Sequence, residues 1–220
     1  MKKPIIVGNW KANKDLSQAQ DWVRQWLKNW PPQGVEAEII LAPSFIHLAF
    51  LRVFFSENNL PIKLCAQDIS IYPSGAYTGE ISGQMLLGSV DYVLIGHSER
   101  RKYFQETEEI LRKKVTRAKE SHLKPIFCVS EMEMPVPDGV EIIAYEPLFA
   151  IGSGIPDNPE NANAAAGEIK KSYRAKVIYG GSVKPENAKD FLKQPNIDGL
   201  LPGGASLSAS EFLAIIQNAT

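Results

Sequence analysis

Eight short apolar runs recur along this chain, and they carry almost none of the polar alternation of a half-exposed strand. They are Ile5-Ile6-Val7, Ile39-Ile40-Leu41-Ala42, Ile62 to Ala66, Tyr92 to Gly96, Ile126 to Val129, Val140 to Tyr145, Lys176 to Tyr179 and Gly199 to Leu201. Strands that read this way are buried on both faces, which is the habit of parallel sheets. Longer stretches between them carry helical spacing. Leu16, Ala19, Val23, Trp26, Leu27 and Trp30 form one apolar stripe that Pro31-Pro32 would end. Others run from a Ser44 cap through Phe55, over 107–120, and from about Ser208 onward. Strand–helix alternation predicts an α/β fold. Eight units favour a closed (β/α)8 barrel, with an open doubly wound sheet as the alternative.

One connection breaks the rhythm. Between the fifth and sixth strands lie only ten residues, 130–139, with Pro135, Pro137 and Gly139 among them. No ordinary helix fits there, so the barrel is expected to have a reduced or missing helix on that side. No shift in composition marks a boundary, and residues 1–220 read as one domain.

Composition excludes several classes. The formal net charge is −1, so no bulk field draws nucleic acid or anionic lipid. Lys113, Lys114 and Arg117 alternate with Leu111, Val115 and Ala118, which suggests a solvated helix face. Cys65 and Cys128 stand far apart and outside any CxxC pattern, against a disulfide scaffold or zinc site and in keeping with a reducing compartment. The first apolar run is too short for a signal-peptide core, and no stretch approaches a membrane span. The expectation is a cytoplasmic protein.

In parallel barrels, functional side chains gather where strands end and loops begin. At those positions stand Lys11, His97, Glu146, and the Gly-rich turns Tyr179-Gly180-Gly181-Ser182 and Pro202-Gly203-Gly204-Ala205-Ser206. Singly, each has an ordinary explanation: a surface lysine, a histidine at a helix start, a glutamate in an ion pair, glycines in tight turns. Their arrival at one rim is what carries weight. Gly-rich turns can aim backbone N–H groups at a phosphate. Glu146 is a candidate general base and His97 a candidate proton donor or carbonyl polariser. Lys11 can neutralise phosphate and enolate charge. Together they suit proton abstraction next to a carbonyl on a small phosphorylated substrate.

Five motifs make this more specific: Asn9-Trp10-Lys11; Gly96-His97-Ser98-Glu99-Arg100; Tyr145-Glu146-Pro147 with Ala150-Ile151-Gly152-Ser153-Gly154; Tyr179-Gly180-Gly181-Ser182-Val183; and Gly203-Gly204-Ala205-Ser206-Leu207. In this order they closely resemble the motifs of the triosephosphate isomerase family. The resemblance implies that Glu146 shuttles a proton, neutral His97 polarises the carbonyl, and Lys11 stabilises an enediolate. It implies that Asn9 helps hold substrate oxygens and that Glu99 supports the lysine. The phosphate would rest on backbone N–H groups of Gly152, Ser182, Gly203 and Gly204, with no metal or organic cofactor. The 150–154 segment would be a mobile lid, hinged at Pro147-Leu148-Phe149 and Ile155-Pro156-Asp157.

The resemblance also implies a homodimer. The segment Gly75-Ala76-Tyr77-Thr78-Gly79-Glu80 resembles the family's protruding loop, which would place Thr78 at the contact. Cys128 and Glu131 would lie behind Glu146, and Pro202 would pack close to it. His47 and His122 match no motif and read as surface or helix-end residues. The remaining alternatives are another phosphate-binding barrel acting on a larger sugar phosphate, and a non-catalytic scaffold. The lid motif argues against the first, and the intact Lys11, His97 and Glu146 set against the second.

Overall fold

A computed structural model describes residues 3–30, 35–152 and 154–219. Eight parallel strands close into a barrel in sequence order, each pairing with the next and the last with the first. They are β1 (Ile5–Asn9), β2 (Glu38–Ala42), β3 (Ile62–Ala66), β4 (Tyr92–Ile95), β5 (Lys124–Val129), β6 (Ile142–Tyr145), β7 (Lys176–Tyr179) and β8 (Gly199–Leu200). The sixth strand starts at Ile142 rather than Val140, after a turn at 138–139.

Two apolar clusters account for the strand composition. One fills the barrel with alternate residues of the strands, among them Ile5, Val7, Ile40, Cys65, Leu94, Cys128, Ala144 and Ile178. The other lies between the strands and the surrounding helices. Each strand therefore presents apolar side chains on both faces, and polar alternation has nowhere to go.

The helices are α1 (Leu16–Asn29), α2 (Leu48–Glu57), α3 (Gly83–Leu86), α4 (Ser98–Phe104), α5 (Glu108–Glu120), α6 (Pro159–Ser172), α7 (Pro185–Leu192) and α8 (Ala209–Gln217). Helix α1 starts with a capping box between Asp15 and Gln18. Its Trp22 and Trp26 stack at 4.9 Å and pack on Phe212 of α8, which joins the first and last units. Leu51 and Phe55 turn the apolar stripe of α2 into core. Among the described residues, no helix is long and apolar enough to cross a membrane.

No helix connects β5 to β6, as the short proline-bearing segment requires. Met134 and Val136 pack against the core instead, and the Tyr173 hydroxyl accepts the Val136 N–H at 3.2 Å.

Several sequence expectations change. Lys114 does not face solvent: it is buried between Asp68 and Glu106, 2.5 Å from each. His47 is also buried, with Nε2 2.9 Å from the Lys14 carbonyl and its ring edge-on to Trp10. His122 is the exposed helix-end residue expected. Ser44 gives no side-chain cap; its hydroxyl donates to the Lys11 carbonyl at 3.1 Å and so braces the loop after β1. Pro31, Pro32 and Ser153 lie outside the described residues.

Candidate active site

The C-terminal ends of β1, β4, β6, β7 and β8 surround one cavity of about 540 Å³. Asn9, Lys11, His97, Glu146, Ile151, Gly152, Ser182, Gly203 and Gly204 all line it. Of the nine residues expected to act on or bind substrate, Glu99 alone is not in this lining; it contacts Lys11 and His97 instead.

Lys11 leaves β1 with φ 52°, a left-handed conformation costly for a residue with a Cβ. The turn is held from three sides. Asn9 Oδ1 accepts the Lys11 N–H at 2.9 Å, Ser44 donates to the Lys11 carbonyl, and so does Gln67 Nε2 at 2.9 Å. The lysine Nζ then meets Glu99 Oε1 at 2.5 Å. Gln67 was not singled out from sequence, although it follows β3 directly and the same strand-end rule points to it.

His97 caps α4. Its Nδ1 accepts the Glu99 backbone N–H at 3.2 Å. With Nδ1 accepting, Nε2 is the ring nitrogen left to donate. That Nε2 points into the cavity, 3.4 Å from Glu146 Oε1.

Glu146 is 2% exposed, and its Oε2 has no hydrogen-bond partner among the described residues. Burial pushes the carboxyl above its ordinary value of 4.5, with His97, Lys11 and the Ser98 N–H pulling the other way. The room it occupies exists because residue 180 is glycine. A Cβ there would sit 2.9 Å from Glu146 Cγ and 3.3 Å from Leu201 Cδ2. Leu201 also lines the cavity. It was read from sequence only as part of a strand. Cys128 packs behind Glu146 as expected, its thiol pushed well up by burial and by the neighbouring carboxylate. Glu131 does not: it is exposed in the β5–β6 turn, because the shortened segment leaves nothing to fold it inward. Pro202 contributes its carbonyl, which accepts the Asn9 N–H at 2.9 Å.

The glycine-rich wall is rigidly braced. Trp10 and Trp22 both donate indole N–H groups to the Ser206 carbonyl, at 3.1 and 3.0 Å. Ser206 in turn binds the Gly203 carbonyl through its N–H at 2.9 Å and its hydroxyl at 2.6 Å. The Gly204–Leu207 turn of 3-10 helix thus opens toward the cavity with backbone N–H groups available to an anion. Opposite, Ser182 donates to the Ala150 carbonyl at 2.7 Å, and the Tyr179 hydroxyl accepts the Asp157 N–H at 2.9 Å. One end of the 150–157 segment is therefore tied to the loop after β7 and the other to the last residue of β7. Gly152 and Gly154 have φ of 68° and 74°, the left-handed region that glycine enters without strain.

The family model for triosephosphate isomerase matches residues 4–141 and 136–219, and the two matches meet at the helix-less β5–β6 connection. A triosephosphate isomerase of Chloroherpeton thalassium is 40% identical over 253 aligned positions, covering 100% of both chains. One of Alkaliphilus metalliredigens is 38% identical over 252, covering 99% of this chain and 100% of the relative. One of Thermus thermophilus is 36% identical over 253, covering 99% of each. Alignments of that length against 220 residues leave the relatives longer, in keeping with a helix lost here. With near-complete coverage at this identity, the chain belongs to the triosephosphate isomerase family.

Proposed function

We propose that this protein interconverts dihydroxyacetone phosphate and D-glyceraldehyde 3-phosphate through an enediolate. The observation that carries the reading is the convergence of the Lys11 ammonium, the His97 Nε2–H and the Glu146 carboxylate on one cavity whose far wall is glycine backbone. Glu146 removes the C1 proton of the ketose as His97 Nε2–H donates a hydrogen bond to the C2 oxygen. The negative charge that builds on the oxygens is met by Lys11 and by the Asn9 side chain. The protonated Glu146 then returns the proton to C2, while the C1-hydroxyl proton passes to the C2 oxygen by way of His97 Nε2, so that C1 becomes the aldehyde and C2 the alcohol.

Phosphate is held by backbone N–H groups of Gly152, Ser182, Gly203 and Gly204. Folding of the 150–154 segment over it expels water, which protects the enediolate from loss of phosphate. Pro156 restricts the second hinge and acts on lid kinetics more than on chemistry. A coupled assay of the purified protein in both directions tests the reaction. Absence of turnover alongside binding of larger sugar phosphates would overturn it.

The pH dependence follows from the burial of Glu146. The base works only when ionised, and its carboxyl is raised. The acid limb of kcat/KM is therefore expected above the ordinary glutamate value of 4.5. A limb at or below that value would remove Glu146 from the role.

The protein works as a homodimer built on the 72–80 loop. Every residue of that loop is exposed, yet it is internally fixed. Tyr72 and Tyr77 stack at 4.3 Å, Tyr77 N–H binds the Gly75 carbonyl and Glu80 N–H the Tyr77 carbonyl. A rigid, protruding loop with two uncovered tyrosines is shaped to enter a partner. Sedimentation is expected to give a dimer, and Thr78→Arg a monomer with much reduced turnover. A fully active monomeric wild type would sink this.

A further inference from the structure

Helix α4, which begins directly after His97 and carries Glu99, buries none of its own residues. Apolar packing therefore does not hold it to the barrel. Arginines do. Arg101 donates to the Gly96 carbonyl at 2.8 Å and the Cys128 carbonyl at 3.2 Å. Arg100 reaches the other way, with Nη2 2.8 Å from Asp68 Oδ2 and Nε 2.6 Å from Glu106 Oε1.

The two carboxylates that receive Arg100 belong to a compact cluster. Lys114 Nζ lies 2.5 Å from Asp68 Oδ1 and 2.5 Å from Glu106 Oε1. Glu106 and Lys114 are both buried. Asp68 sits on the exit of β3, next to the Gln67 that braces the Lys11 carbonyl. Glu106 precedes α5 and Lys114 lies within it. The cluster thus joins the loop after β3 to both helices that follow β4.

Two cations and two carboxylates out of water are expensive, and well-packed apolar groups could tie these elements together at no greater cost. What apolar contact lacks is direction. A guanidinium held by two carboxylates has a set plane and reach. We propose that Asp68, Glu106 and Lys114 are positioning residues for the reaction: through Arg100 they fix the first turn of α4, and with it the His97 ring and the Glu99 carboxylate. The Arg100 N–H itself binds the His97 carbonyl at 2.8 Å, so the link from cluster to imidazole is one residue long. This inference rests on the isomerase reading of the same site.

Glu106→Gln tests it. Oε1 can still accept both donors, while the charge is lost and an amide replaces the unpartnered Oε2. With misplacement of a fraction of an ångström, kcat is expected to fall about tenfold or more with KM within about twofold, since the phosphate loops are untouched. The imidazole ¹⁵N signals of His97 are expected to shift. A lowered melting temperature with unchanged kcat and unchanged His97 signals would overturn the proposal, as would a rise in KM at constant kcat. If Glu106→Gln does not fold, Asp68→Asn at the less buried end of the cluster is read by the same measures. An inactive wild type would instead remove the isomerase reading, and the His97 signals would still decide whether the cluster orients the ring.

Discussion

Glu146→Gln is expected to lower kcat about a thousandfold with little change in KM, because it removes the group that takes the proton and leaves the phosphate contacts in place. Glutamine fills the same space between Gly180 and His97, so the cavity keeps its shape. The variant carries a second, opposite signature. Burial raises the native carboxyl, so the folded protein holds this proton to higher pH than the unfolded chain does. From the ordinary value of 4.5 upward, ionising Glu146 therefore costs the native state stability as pH rises. Glutamine has no such proton. The variant is expected to melt higher than the wild type at neutral pH, and the difference should close on acidification below 4.5. Loss of turnover with gain in stability is the mark of a group kept for chemistry rather than for folding. A variant that retains kcat within about tenfold would place the base elsewhere.

Gly199→Ala is expected to damage the fold itself. The barrel closes between β1 and β8 through only two residue pairs, Ile5 with Gly199 and Ile6 with Leu200. A Cβ at position 199 would sit 2.0 Å from the Ile5 carbonyl oxygen, 2.8 Å from its carbon and 2.9 Å from its nitrogen. These are backbone atoms in the seam, and Ile5 N–H is already bound to the Asp198 carbonyl at 3.0 Å. Neither strand can yield without opening the closure. The cost is expected to reach about 3 kcal/mol or more, a drop in melting temperature of roughly 6–12 °C for a chain this size. Gly204→Ala is the control, since a Cβ there meets nothing within 4 Å. Calorimetry of both variants reads the difference. Equal melting temperatures would mean that the seam is not needed to hold the barrel shut.

The legible parts of this protein are those that depend on local chemistry. Apolar runs without alternation announced strands buried on both sides, and the two core clusters are the reason. Pro135 and Pro137 announced the missing helix. Strand-end positions announced Lys11, His97 and Glu146, and all three line one cavity. Misreadings fell where a residue's partners are distant in sequence. Lys114 looked like one more solvated lysine on α5, yet its partner Asp68 stands 46 residues away. His47 has the Lys14 carbonyl, 33 residues away, against its ring. Leu201 and Gly180 shape the space around Glu146 from just past the ends of two other strands.

The sequence by itself determined the class of fold, the eight strands, the lost helix and the residue types on the catalytic rim, because side-chain period, proline and glycine act on their own backbone neighbours. Only the tertiary structure decided the charges and the distances. It buried Glu146 3.4 Å from His97, made Nδ1 of that ring an acceptor, and hung α4 on a buried charge cluster. Desolvation and ion pairing depend on what the closed barrel brings together, and no local pattern encodes that.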